Sequence, residues 1–135
     1  MSNHILIPVA LDHEGLVERK IAVARRLLDE GGRITLLTVL ERVPGFVAEF
    51  VSPDSENHLT AKVRAKLDAV SGGSDDLRTE VIVGKPGVQI ARYAKENGVD
   101  LIVVGSMSPD GDDYFLGSTA SRVARRAHCS VMILR

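Results

Sequence analysis

The chain has 135 residues, 44% hydrophobic and 26% charged, with Lys+Arg 17 against Asp+Glu 18 and a formal net charge of -1. That composition predicts one ordinary domain with a real core over residues 1–135, and it offers no bulk attraction to nucleic acid, whose binding rests largely on neutralising phosphates. The longest wholly apolar runs, such as Leu101-Ile102-Val103-Val104, are strand-sized, so no membrane insertion is expected.

Short β-branched or Leu-rich runs alternate with stretches whose apolar residues recur every three or four positions. Ile5-Leu6-Ile7-Pro8-Val9 reads as a buried first strand. A helix from Gly15 to Glu30 follows, with Val17, Ile21, Ala24, Leu27 and Leu28 on one face and Gly31-Gly32 ending it. Ile34 to Leu40 is the second strand, apolar almost throughout, as strands covered on both faces tend to be. The second helix is predicted over about Leu59 to Val70, where Leu59, Val63, Leu67 and Val70 fall in register. Leu77 to Val83 is the third strand, after which Gly84-Lys85-Pro86 opens a third helix that Gly98 closes. Leu101 to Val104, ending at Gly105, is the fourth strand. The last helix has Ala120, Val123, Ala124 and Ala127 on one face and Arg122, Arg125 and Arg126 on the other. Val131-Met132-Ile133-Leu134 is the fifth strand. With right-handed crossovers, this βα alternation predicts an open parallel sheet carrying helices on both faces.

The connection from Glu41 to His58 is long and carries Phe46 and Phe50, which would pack beneath it, cover a ligand or meet a partner subunit. Cys129 is alone, so no intrachain disulfide or cysteine-rich metal site is expected; it reads as a small buried hydrophobe. The N-terminus runs into the first strand without the features of a secretory signal, and together these predict a cytoplasmic protein. His13 follows the first strand and would touch a ligand there or face solvent; His4, His58 and His128 are scattered singly, without metal-ligand spacing.

Ligands of open parallel sheets bind beyond the carboxyl ends of the strands, where strand order reverses, which directs attention to the loops after strands one and four. The first, Pro8 to Gly15, lacks the three spaced glycines of a dinucleotide-binding turn. The second, Gly105 to Thr119, is rich in small residues and leads straight into the last helix, whose N-terminus suits an anion; Ser118 also reads as an ordinary N-cap after a turn glycine. Ser71-Gly72-Gly73-Ser74-Asp75-Asp76 looks like a pyrophosphate loop, but it follows a helix and precedes the third strand, and it reads as a flexible turn.

From Gly105 to Leu134 the chain resembles the C-terminal signature of the universal stress protein family: Gly, two residues, Gly, nine residues, Gly-Ser/Thr, then a helix and a terminal strand. The similarity extends to Ile5-Leu6-Ile7-Pro8-Val9, Leu36-Leu37-Thr38-Val39, Gly84-Lys85-Pro86 with Ile90 and Ala94, and Asp100 to Gly105. Three departures stand out. Ser108 replaces the second glycine, the span from Gly105 to Gly117 is one residue short, and Ala10 stands where the family usually places an Asp against the adenosine, a polar anchor that is lost unless Asp12 replaces it. The shortened loop with its Leu-Gly-Ser end looks like that of a subgroup of small bacterial stress proteins that still bind ATP.

The resemblance implies a three-layer α/β/α, Rossmann-like fold of the adenine nucleotide α-hydrolase type, with five parallel strands in the order 3-2-1-4-5. It implies an ATP site in which Pro8, Ala10 and Val39 surround adenine and ribose, Val104 and Gly105 form the floor, Ser106 and Ser108 lie near the phosphates, and Gly117, Ser118 and Thr119 hold phosphate oxygens. Asp110, Asp112 and Asp113 would meet the triphosphate through Mg²⁺ or form a solvated acidic turn. No catalytic Lys or Arg is evident near that site, so binding with at most slow hydrolysis is expected. A homodimer is implied through Val131–Arg135, an edge that otherwise stays unpaired, together with an unknown protein partner. The alternative is a nucleotide-free interaction protein of the same fold, favoured by Ala10 and Ser108. A phosphoacceptor receiver domain is disfavoured because no acceptor Asp ends the third strand.

Overall fold

Ile5, Leu6 and Ile7 are fully buried although their side chains alternate between faces, and a strand with both faces covered belongs at the centre of a layered sheet. The computed structural model describes residues 2–10, 17–41, 53–72, 74–106 and 117–135, with side chains in the second helix from Ala61 onward. Strands β1 (Ser2–Pro8), β2 (Leu28–Leu40), β3 (Leu77–Val83), β4 (Leu101–Gly105) and β5 (Ser130–Leu134) form one parallel sheet in the order β3-β2-β1-β4-β5. Helices α1 (Val17–Leu27), α2 (Pro53–Ser71), α3 (Pro86–Glu96) and α4 (Ser118–Arg126) supply the crossovers. The predicted Rossmann-like α/β fold and strand order are what the chain adopts.

Two apolar clusters make the layers. Ile5, Ile7, Val17, Ile21, Ala24, Val63, Leu67 and Val103 join α1 and α2 to one face of the sheet. Leu6, Leu37, Ile90, Ala94, Ile102, Val104, Ala120 and Val123 join α3 and α4 to the other. No described helix is long and apolar enough to cross a membrane.

Several boundaries differ from expectation. Helix α1 ends at Leu27, and β2 begins at Leu28, which pairs with Ser2 ahead of a bulge between Ser2 and His4. Leu28 packs against the same cluster from the strand as it would from a helix, so its apolar character could not tell the two apart. The glycines serve the irregular strand entry instead: Gly31 has φ +79°, and a Cβ on Gly32 would lie 2.8 Å from the Asn3 carbonyl oxygen. Helix α2 starts at Pro53 rather than Leu59, which takes the last six residues out of the predicted long connection. Ala124 of α4 is exposed, and the buried stripe runs through Ala120 and Val123. Gly98, at φ +65°, follows α3 as predicted. Ser71 ends α2, and the Ser74 amide donates back to the Ser71 carbonyl at 3.4 Å.

Candidate functional site

Between β1 and β4 the order in which strands are added reverses, while the strands stay parallel. Their pairing covers Ile5↔Leu101 and Leu6↔Ile102 and then ends, two residues before β1 does. Pro8 supplies the local reason, since it has no N–H with which to continue the ladder towards β4. On its other side β1 stays held to β2: the Val9 amide donates to the Leu37 carbonyl at 2.7 Å, and the buried Thr38 hydroxyl donates to the Val9 carbonyl at 3.0 Å. Beyond β4 the chain is held the opposite way, with the Ser106 amide donating to the Leu134 carbonyl of β5 at 3.0 Å. The two exits are thus drawn to opposite sides, which makes the crevice expected at a switch point.

Of the residues the sequence singled out, Pro8 ends β1 half-buried, Ala10 is exposed just beyond it, and Val104 and Gly105 end β4, buried and half-buried. Pro8 pairs with Leu37 of β2, so Val39 lies two residues further towards the same end. Ala120, in the first turn of α4, belongs to the same cluster as Val104. Gly117 is the N-cap of α4, extended at φ -59° and ψ 155°, with no side-chain cap. The first intrahelical bond runs from the Ser121 amide to the Gly117 carbonyl at 3.0 Å, so the amides of Ser118, Thr119 and Ala120 have no acceptor within the helix. Ser118 occupies the first helical position and is not the cap that its spacing also allowed. Ser108, Asp12, His13, Asp110, Asp112, Asp113, Phe46 and Phe50 lie outside the described residues. No group of three metal-ligating side chains occurs among the described residues.

Sequence reasoning missed Lys20. It lies in α1 on the stripe of Val17, Ile21 and Ala24 and is only 8% exposed. Its Nζ donates to the Pro8 carbonyl at 3.5 Å, the one hydrogen bond recorded for it among the described residues. Backbone groups of successive strand residues point to opposite sides. Those of Val9 go to β2, so the Pro8 carbonyl, and the ammonium on it, face β4. Burial holds the Lys20 amine below its ordinary pKa, with no charged neighbour contributing among the described residues. The signal was available: a lysine three residues after Val17 and four before Ala24 falls on an apolar helical face.

His4 was passed over as a solitary histidine, yet it is 4% exposed and bonded through both ring nitrogens. Nδ1 lies 3.1 Å from the Asn97 carbonyl oxygen and Nε2 2.9 Å from Thr35 Oγ1. It sits near the start of β1, at the opposite end from the crevice. Cys129 is half-buried against the α3–α4 side of the core, and burial raises its thiol pKa, as suits a packing residue.

An open parallel α/β sheet whose strand order switches between β1 and β4 defines the class of doubly wound folds, in which ligands bind at such a crevice. Within that class the chain belongs to the universal stress protein family, whose sequence profile matches residues 1–135. It is 29% identical to Universal stress protein G of Shigella flexneri over 142 residues, covering 100% of both chains. Among solved structures it resembles hypothetical protein MJ0577, with TM-score 0.79 and 22% identity over 98% of this chain and 94% of that one. It also resembles a universal stress protein in complex with cAMP, with TM-score 0.64 and 20% identity over 99% of this chain and 97% of that one. A universal stress protein of Archaeoglobus fulgidus in complex with dAMP gives TM-score 0.65 and 18% identity over 97% and 96%.

Proposed function

We propose that the chain is an adenine-nucleotide-binding stress-response protein that takes ATP into the crevice between β1 and β4 and changes its partner contacts on doing so. The observation that carries this reading is the pairing of divergent strand exits with the uncapped start of α4. Pro8, Ala10 and Val39 would flank adenine and ribose, and Val104 and Gly105 would form the floor. Ser106 and Ser108 would line the phosphate side, where the amides of Ser118 and Thr119 after Gly117 take phosphate oxygens. Mg²⁺ would arrive with the triphosphate. Relatives in complex with cAMP and dAMP support an adenosine-based ligand. The reading is of binding, with hydrolysis slow or absent.

Strand β5 lies at an edge of the sheet, which supports a homodimer formed through Val131–Arg135. Light scattering at micromolar concentration should return a dimer, and monomer alone would overturn that part. A lone half-buried thiol suits a cytoplasmic, reducing setting.

The nucleotide site is tested by calorimetric titration of nucleotide-stripped protein with Mg-ATP, with GTP as control and Gly117→Asp as the blocking variant. Micromolar binding selective for ATP and lost in the variant is expected. Absence of heat and of thermal stabilisation by excess ATP would instead favour a nucleotide-free interaction protein, the reading that the exposed, apolar Ala10 supports.

A further inference from the structure

We infer that Lys20 is the residue through which the crevice recognises a phosphoryl group, distinguishing a phosphorylated ligand from its neutral nucleoside. The inference rests on the nucleotide reading and adds to it a cation that neither the loop after β4 nor the start of α4 supplies.

Three observations converge. The side chain is more than nine-tenths buried, yet it is the long cationic one on a stripe that otherwise carries Val17, Ile21 and Ala24. An ammonium has three N–H donors, and the structure records one acceptor for it among the described residues, a carbonyl at the outer limit of hydrogen-bond distance, 3.5 Å. That carbonyl belongs to Pro8 and faces β4, where ladder pairing has ended and the exits part. A buried cation with one long contact among the described residues has donors to spare, and an oxyanion entering the crevice would engage them. Arg19, its neighbour, does not compete for the role: it is exposed, and its Nη1 donates to the Arg135 carbonyl at 2.6 Å beyond β5. With Ala10 beside Pro8 in place of a carboxylate, that position adds no negative charge to oppose an anion.

The test compares AMP with adenosine by calorimetry on wild-type protein, Lys20→Met and Lys20→Arg. Loss of one charge-assisted contact should weaken AMP binding roughly ten- to hundred-fold in Lys20→Met. Adenosine affinity should stay within about twofold, with Lys20→Arg recovering part of the AMP preference. A structural lysine would behave otherwise, lowering both affinities together or neither, and either result overturns the inference. The melting temperature of free Lys20→Met should equal or exceed that of wild type, because an apolar chain of similar length replaces a poorly satisfied buried charge. If the variant fails to fold, the ε-methylene NMR signal of Lys20 in wild-type protein decides: it should move on saturation with AMP and stay still with adenosine, and a signal unmoved by AMP refutes the idea. Wild-type protein that binds neither compound would sink the nucleotide reading. Inorganic pyrophosphate then judges Lys20 alone, since a shift of its signal upholds an oxyanion site and no shift ends the proposal.

Discussion

Acidification should destabilise this fold through His4 in a way that one substitution removes. A carbonyl oxygen only accepts, so the 3.1 Å contact to Asn97 fixes the hydrogen on Nδ1, and Nε2 accepts the Thr35 hydroxyl at 2.9 Å. The neutral ring is therefore satisfied at both nitrogens while 4% exposed. Protonation would place a second N–H against a hydroxyl already oriented to donate. Burial, foremost, and the charges of Arg33 and Arg78 lower the His4 pKa, and these outweigh the Asn97 carbonyl and Asp100, which raise it. An unfolded histidine titrates near 6.5, so below that pH the unfolded chain takes up the proton that the folded one resists. The contribution is complete above about pH 6.5 and is lost as pH falls through the folded value. A single proton bounds the effect: with the folded ring still neutral, the loss reaches about 1.4 kcal/mol at pH 5.5. Urea unfolding at 25 °C, at pH 7.5 and 5.5, measures it in wild type and in His4→Gln. The other three histidines and all carboxylates are common to both proteins and cancel. Wild type should lose up to about 1.4 kcal/mol more than the variant. Parallel losses, or a larger loss in the variant, would refute the assignment of His4 as buried and neutral.

Two further expectations concern packing. Gly87 lies where α3 meets α4, and a Cβ there would stand 2.6 Å from Arg122 Cβ, so Gly87→Ala should destabilise by about 1–3 kcal/mol in urea melts. Arg122→Ala should not rescue it, because the atom in conflict remains. Leu67, fully buried beneath the α1–α2 face, should cost about 2–5 kcal/mol when replaced by Ala, with the denaturant slope unchanged; a cost below 1 kcal/mol would mean that α2 does not close that core.

What the sequence made legible is what repeats locally. The runs at Ile5, Ile34, Leu77, Leu101 and Val131 are strands because each buries residues on both faces or packs a β-branched edge, and that burial is written as composition. The start of α2 was not legible, since Pro53 to His58 contains no apolar residue at helical spacing. His4 acquires its role from residues 31 and 93 positions away, a distance no local pattern spans. At the crevice, the small residues near Gly105 and Gly117 directed attention to the start of α4, but Lys20 was passed over, because lysines are usually solvated. Its position on the stripe contradicted that default, and contradictions between charge and periodicity are where a sequence says most about a site.

The two buried titratable side chains of β1 and α1 also separate stability from function. His4 and Lys20 are about equally hidden, and burial lowers the pKa of both. At His4 the surrounding chain answers each polar atom, so the group can be buried without penalty beyond its desolvation and serves to lock β1 to β2 and to the end of α3. At Lys20 a four-carbon stem fills space that a methionine would fill as well, and among the described residues its charged end meets one distant carbonyl. Packing therefore accounts for the stem but not for the ammonium. A core needs only the former, and in the phosphoryl-recognition role inferred for Lys20 the latter serves a negatively charged ligand that reaches the Pro8 carbonyl from the β4 side.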